Sequence, residues 1–236
     1  MTPLELTGRA TTHVGEFETA RGDRFVAHPE AAAAFLHMSA AAAAEGFELT
    51  PVSVHRTFAG QCAIWNPKWR GERTLYDRKG GILVAADIEP ARRVETILWW
   101  SAMPGASRHH WGTEFDVIDR AALPPGYTLR LMPDEFEPGG VFEALGRWLD
   151  AHLADFGFFR PYDRDRGGPQ PEPWHLSYAP ISVAALRDLG VAVVRDAVMA
   201  GDVEGRDEIL RQLETLYPRF VEAVAEVPTS LVARAE

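Results

Sequence analysis

Ser107-Arg108-His109-His110-Trp111-Gly112-Thr113-Glu114-Phe115-Asp116 is the stretch on which the reading of this chain turns. Imidazole and carboxylate are both good zinc ligands, and a loop running straight into a strand can bring them together. Thr113 to Ile118 reads as a strand, so Asp116 projects from it while His109 hangs from the preceding loop. Gly112 lets the backbone turn between them with no side chain in the way. On chemistry alone His110 competes with His109. A second segment, Glu172-Pro173-Trp174-His175, lies where a last short strand, Trp174 to Tyr178, begins. His175 is a candidate third ligand, and Glu172 is close enough in sequence to act on a water at the metal. Three protein ligands leave one position open, the catalytic pattern, whereas a structural zinc is closed by four. A third segment, Ser53-Val54-His55-Arg56-Thr57-Phe58-Ala59-Gly60-Gln61, presents Arg56 at a strand end and Gln61 a helical step later.

Taken in order, these segments resemble the zinc D-alanyl-D-alanine carboxypeptidases of the VanY type, within the wider group of lysostaphin-like, D-Ala-D-Ala and hedgehog-like folds. The family motif Ser-x-His-x-x-Gly-x-Ala-x-Asp is met at Ser107, His109, Gly112 and Asp116, and Glu-x-x-His at Glu172 and His175. The upstream Gly-Tyr-Arg-Ser-x-x-x-Gln pattern is met at Arg56 and Gln61, with Val54-His55 in place of Gly-Tyr. The resemblance implies an α+β fold, a small antiparallel sheet flanked by helices. It implies one zinc ion per chain on His109, Asp116 and His175, which selects His109 over His110. It further implies Glu172 as general base, Arg56 on the oxyanion, and Ser107, Gln61 and Trp174 near the substrate. The substrate class implied is peptidoglycan stem peptides or precursors ending in D-alanine, cut by D,D- or L,D-carboxypeptidase action. A phage-endolysin-like endopeptidase cutting L-Ala–D-Glu, and a non-catalytic zinc-binding module, are the other readings of the same site. One departure stands out: Glu114 occupies the family's alanine position, to alter the metal's charge, touch substrate or turn away into a salt bridge.

Composition narrows the partners. The chain has 236 residues, 34 acidic against 24 basic, and a net charge of -10, which argues against nucleic acid. Lys68 and Lys79 are its only lysines, and Cys62, its only cysteine, has no partner for an internal disulfide. No apolar run approaches the roughly 20 residues of a membrane span. The N-terminus shows no charged-then-apolar leader, from which a cytoplasmic location is expected.

Elsewhere the pattern predicts an irregular arm over 1–27, a catalytic domain over 28–180 and a helical C-terminal extension, 181–236, packed on it. Within the domain, helices are expected from His28-Pro29-Glu30 to Glu45-Gly46, over Phe58–Trp65 with a stop at Asn66-Pro67, over Pro90–Trp100 and over Gly140–Phe156. Phe47–His55 reads as a strand, 66–87 and Phe159–Pro171 as loops. Two long helices, 182–200 and 203–225, follow, the second with an apolar stripe from Ile209 through Leu213 and Leu216 to Phe220.

Overall fold

A computed structural model describes residues 1–232 of the chain, so the last four residues of the expected extension lie outside the described residues. The first 27 residues correct the expectation of an irregular arm. They hold a one-turn helix, α1 (Pro3–Leu6), and an antiparallel hairpin of β1 (Gly15–Glu18) and β2 (Arg24–Ala27). Phe17 packs on Phe25 across the hairpin at 5.9 Å, and Thr19 ties the turn through Asp23. In Glu16-Phe17-Glu18 a single apolar residue faces inward, too little for a strand to announce itself in sequence.

Helix α2 (Pro29–Ala44) starts on proline, whose fixed φ suits a first turn, and gives way at Gly46 with φ +91°. Strand β3 (Leu49–Ser53) follows, and its Pro51 is tolerated because β3 is an edge strand. Helix α3 (Phe58–Arg70) is capped by Thr57, whose hydroxyl accepts from the Gly60 N–H at 3.0 Å. It runs through Asn66-Pro67, where a stop was expected, and ends on left-handed Gly71. Pro67 costs one backbone hydrogen bond, but the carbonyl it deprives belongs to exposed Ala63, which water can reach. Tertiary bonds hold the turn in place: Trp65 Nε1 donates to the Glu204 carbonyl at 3.0 Å, and Asn66 Nδ2 to that of Asp202 at 3.1 Å.

The expected loop at 66–87 contains a small hairpin, β4 (Leu75–Tyr76) with β5 (Ile82–Leu83). After α4 (Pro90–Leu98), a short 3₁₀ turn, Arg108–Trp111, leads into β6 (Glu114–Asp119), all six residues of which are buried. Helix α5 (Glu143–His152) begins three residues later than predicted. Strand β7 (Phe158–Phe159) was hidden in what read as a helix end and a loop. Strand β8 (His175–Tyr178) completes an antiparallel four-stranded sheet in the order β3-β6-β8-β7. The predicted helix at 182–200 is two helices, α6 (Ala179–Leu189) and α7 (Val191–Met199), broken at Gly190. Helix α8 (Arg206–Tyr217) passes at Pro218 into a π-helical turn, Pro218–Glu222.

Two apolar cores flank the site. One lies between the sheet and α2 and α5, where Phe35 stacks on Phe115 at 4.5 Å. The other joins α3 and α4 to α6, α7 and α8 through Trp65, Ile97, Val198, Leu213 and Phe220. The fold is therefore α+β, a small antiparallel sheet flanked by helices.

Gly112 is the hinge between the 3₁₀ turn and β6. Its φ is +67°, and a Cβ there would lie 2.5 Å from Val14 Cγ1 and 2.8 Å from the His28 nitrogen. Gly112→Ala is expected to cost at least about 1–3 kcal/mol, because the strained backbone and the clash with the Val14 side chain and the Ala27–His28 backbone add. Urea denaturation followed by circular dichroism measures this; a loss under about 0.5 kcal/mol would show that the turn does not need glycine.

Candidate active site

Strand alternation explains how one sheet face becomes polar while the other stays apolar. Across β6 and β8, Phe115 pairs with Leu176 and both enter the core under α2. The residues of opposite parity, Glu114 opposite Ser177 and Asp116 opposite His175, face the other way. His109 reaches the same place from the 3₁₀ turn, which is stitched to the end of β3. The Arg56 N–H donates to the His109 carbonyl at 3.0 Å, and His109 Nδ1 donates to the Val54 carbonyl at 2.6 Å. That second bond places the His109 proton on Nδ1 and leaves Nε2 free, 3.3 Å from Asp116 Oδ2.

His175 is oriented by the opposite nitrogen. Its Nε2 donates to Glu114 Oε2 at 2.9 Å, while Nδ1 lies 3.0 Å from Asp116 Oδ1 and 3.4 Å from Glu172 Oε2. Nδ1 of His175 and Oδ1 of Asp116 are both buried with no hydrogen-bond partner. Buried polar atoms are rarely left so. His109, Asp116 and His175 each offer one ligand atom within 4.8 Å of the others. Two imidazoles and a carboxylate, each with a lone pair turned to a common point, are the donor set of a catalytic zinc site, so the residues fit that ion.

The electrostatics point the same way. Burial alone would raise the Asp116 carboxyl, but His109 and His175 hold it well below the usual range. Burial opposes charge on His175 too, yet the adjacent Asp116 and Glu114 carboxylates push it up to about 10. The space between these groups thus holds a positive charge strongly, whether a proton or a metal cation. Glu172 behaves differently: burial pushes its carboxyl up to about 7, only partly offset by His175.

All of these groups except Glu114 line one cavity of about 280 Å³, together with Arg56, Lys68, Ser107 and Trp174. Arg56 is held from behind, Nη1 donating to Gln61 Oε1 at 2.8 Å and Nη2 to Ser53 Oγ at 2.8 Å. Gln61 is fully buried and does not line the cavity; its Nε2 is committed to the Ala102 carbonyl at 2.7 Å. Buried His110 is likewise committed, with Nδ1 donating to the Arg56 carbonyl at 2.6 Å and Nε2 accepting from the Gly105 N–H at 3.1 Å.

Three contributors had no sequence signal. Lys68, from the part of α3 beyond the expected stop, points its ammonium at Ser101 Oγ, 2.6 Å away. Burial, with Arg73 nearby, pushes it down to about 8. Arg108, buried on the Trp111 ring at 4.7 Å, binds Glu114 and Ser177. Tyr162, from the expected loop at Phe159–Pro171, sits 5.1 Å from the His175 ring and lines the cavity. Motif spacing finds residues that share a short segment; these are single side chains brought in from a helix, an unspecified motif position and a loop.

Comparison with known proteins adds to this geometry. An uncharacterized protein of Haemophilus influenzae is 35% identical over 118 residues, 49% of this chain and 90% of its own length. A D-alanyl-D-alanine carboxypeptidase of Enterococcus faecalis is 30% identical over 147 residues, 61% of this chain and 45% of that protein. The structure of VanYB in complex with D-alanine-D-alanine superposes with a TM-score of 0.50 at 22% identity, covering 80% of this chain and 90% of that one, and so shares its fold. The family model for VanY, D-alanyl-D-alanine carboxypeptidase, matches residues 24–181. That match spans well over half of the chain and takes in Arg56, both ligand-bearing strands and Glu172, and by it the chain belongs to the VanY family of D-alanyl-D-alanine carboxypeptidases, which are hydrolytic peptidases.

Proposed function

We propose that this chain is a zinc carboxypeptidase that removes a C-terminal D-alanine from peptidoglycan stem peptides, with one zinc ion on His109, Asp116 and His175. The observation that carries the reading is the open side of the His-Asp-His group. It faces a cavity in which Glu172, a buried carboxyl raised to about 7, stands 3.4 Å from His175. A zinc ion held there supplies Lewis acidity, bringing a water's pKa to about 7 and polarising a peptide carbonyl. Glu172 accepts the proton of the attacking water and returns it to the departing amine as the C–N bond breaks. Its burial suits it to both transfers near neutral pH. Arg56, pre-aimed by Gln61 and Ser53, donates to the carbonyl oxygen as negative charge builds on it. Buried Ser107 and Trp174 form the wall against which the terminal residue rests.

The choice of an exopeptidase over an endopeptidase is supported by charge. Among the described residues neither Arg56 nor Lys68 has a carboxylate within salt-bridge distance; both donate only to neutral groups. Two cations turned to one cavity with no carboxylate in contact with either fit a ligand that brings its own, such as a peptide's free C-terminal carboxylate.

Purified protein loaded with zinc is expected to release D-alanine from pentapeptide or tetrapeptide stems and to stop when a chelator is added. Absence of D-alanine release from both, with zinc bound, overturns the reading, and cleavage at an internal bond of intact sacculi replaces it with the endopeptidase.

Glu172→Gln is expected to lower kcat by roughly 10²–10⁴-fold, the usual worth of a general base, while zinc content stays at the wild-type level. Kinetics and metal analysis on one preparation check this; retained turnover would remove Glu172 from the proton path.

Lys68→Met is expected to raise KM for a free-acid stem peptide about tenfold or more, the loss of one charge-assisted hydrogen bond. The wild type should prefer that peptide over its C-terminal amide, and the variant should lose most of the preference. A variant that keeps the full preference shows that Lys68 does not hold the carboxylate.

A further inference from the structure

Glu114 stands where the VanY motif has alanine, and its surroundings separate the roles a carboxylate could play there. It is 0% exposed and is absent from the cavity wall, which removes substrate contact. Nor is it a simple salt bridge. Arg108 Nε donates to Oε2 at 3.1 Å, Ser177 Oγ to Oε1 at 2.8 Å and Thr113 Oγ1 to Oε1 at 2.9 Å, yet Oε2 also takes the His175 Nε2 proton at 2.9 Å. Ser177 and Arg108 are bonded to each other at 2.6 Å, and Ser177 to Ser182 at 2.8 Å, so the carboxylate is fixed from three sides.

We propose that Glu114 is a positioning residue for the metal: by fixing the His175 proton on Nε2, it keeps Nδ1 unprotonated and turned toward Asp116 and His109. This inference rests on the zinc reading above. The argument follows from the two nitrogens of imidazole, of which a neutral ring protonates only one. With an acceptor at Nε2, the lone pair is on Nδ1, in the cavity. Without it, Nε2 is buried and unpaired, and the ring gains by moving its proton to Nδ1, where Asp116 and Glu172 lie at 3.0 and 3.4 Å as acceptors. That tautomer hides the ligand atom and ties up a second ligand as well. A carboxylate behind a ligating histidine also raises the ring's basicity. Arg108 offsets the added negative charge, so Asp116 remains the carboxylate that faces the cation.

The inference is tested on metal binding, apart from turnover. Zinc affinity is read by competition with a chromogenic chelator for wild type, Glu114→Gln and Glu114→Ala. Glu114→Ala is expected to weaken zinc about 10–100-fold, and Glu114→Gln, which keeps an acceptor oxygen without the charge, by less. Because Glu114→Ala leaves Arg108 buried and unpaired, the double variant Arg108→Met/Glu114→Gln removes both charges together and is expected to bind zinc more weakly than the wild type. A measurement needing no variant accompanies these: ¹⁵N-imidazole NMR of the zinc-loaded wild type should place the His175 proton on Nε2. A proton on Nδ1, or a folded Glu114→Ala with wild-type affinity, overturns the inference while leaving the peptidase reading intact. A wild type that takes up no zinc overturns the zinc reading itself.

Discussion

Where β6 and β8 pair, Asp116 lies opposite His175 and Glu114 opposite Ser177, and the rest of the site follows from that register. Side chains alternate along a strand, so a slip of one residue in β6 would send Glu114 and Asp116 into the apolar core and bring Phe115 to the cavity. The aromatic contacts of Phe115 with Phe35, Phe25 and Phe158 make that slip costly. Packing on one face thus fixes chemistry on the other. The 3₁₀ turn adds His109 through bonds to the end of β3. Elements from three parts of the chain meet because one pairing holds them.

Concentrating charge in this way is costly. Removing an ion from water costs several kcal/mol unless partners replace the lost solvation. Glu114 is compensated by Arg108, and Asp116 lies between His109 and His175, so each of these two buried carboxylates has its own polar partners. Glu172 is compensated least, and it is the carboxyl whose proton affinity rises. Difference in compensation, more than difference in residue type, separates a carboxylate suited to hold a cation from one suited to carry a proton.

The chemistry was legible in sequence to the extent that it is local. His109 with Asp116, and Glu172 with His175, are each spaced within one turn-and-strand unit, and backbone geometry over so few residues is nearly determined. Helix α2 and strands β3, β6 and β8 were legible for the same reason, through caps and apolar alternation. Interactions across the fold were not. The helix passing through Pro67 depends on Trp65 and Asn66 binding backbone at 202 and 204, more than 130 residues away. The hairpin of β1 and β2 depends on Phe25 reaching Phe35 and Phe115. Lys68 and Arg108 were unreadable because a lone basic residue has no pattern, and only the cavity gives each a place.

The same contrast explains the division of labour in the cleft. Its reactive groups stand on the sheet and its adjoining turns, backed by the core under α2. Much of its opposite wall, including Lys68, Leu98 and Phe220, comes from α3, α4 and the turn after α8, which share the other core. Gly168 shows how closely the parts fit: a Cβ there would lie 1.9 Å from the Arg219 carbonyl oxygen. The C-terminal helices therefore do more than cover apolar surface. Through Phe220 they help set the shape of the cavity wall opposite the sheet. Because the two sides draw on separate cores, the wall can change through packing among α3, α4 and α8 without disturbing the register of β6 and β8. The part of the cavity wall free to differ is then the helical side. The motifs reach that side only through Gln61 on α3, which holds Arg56 from behind.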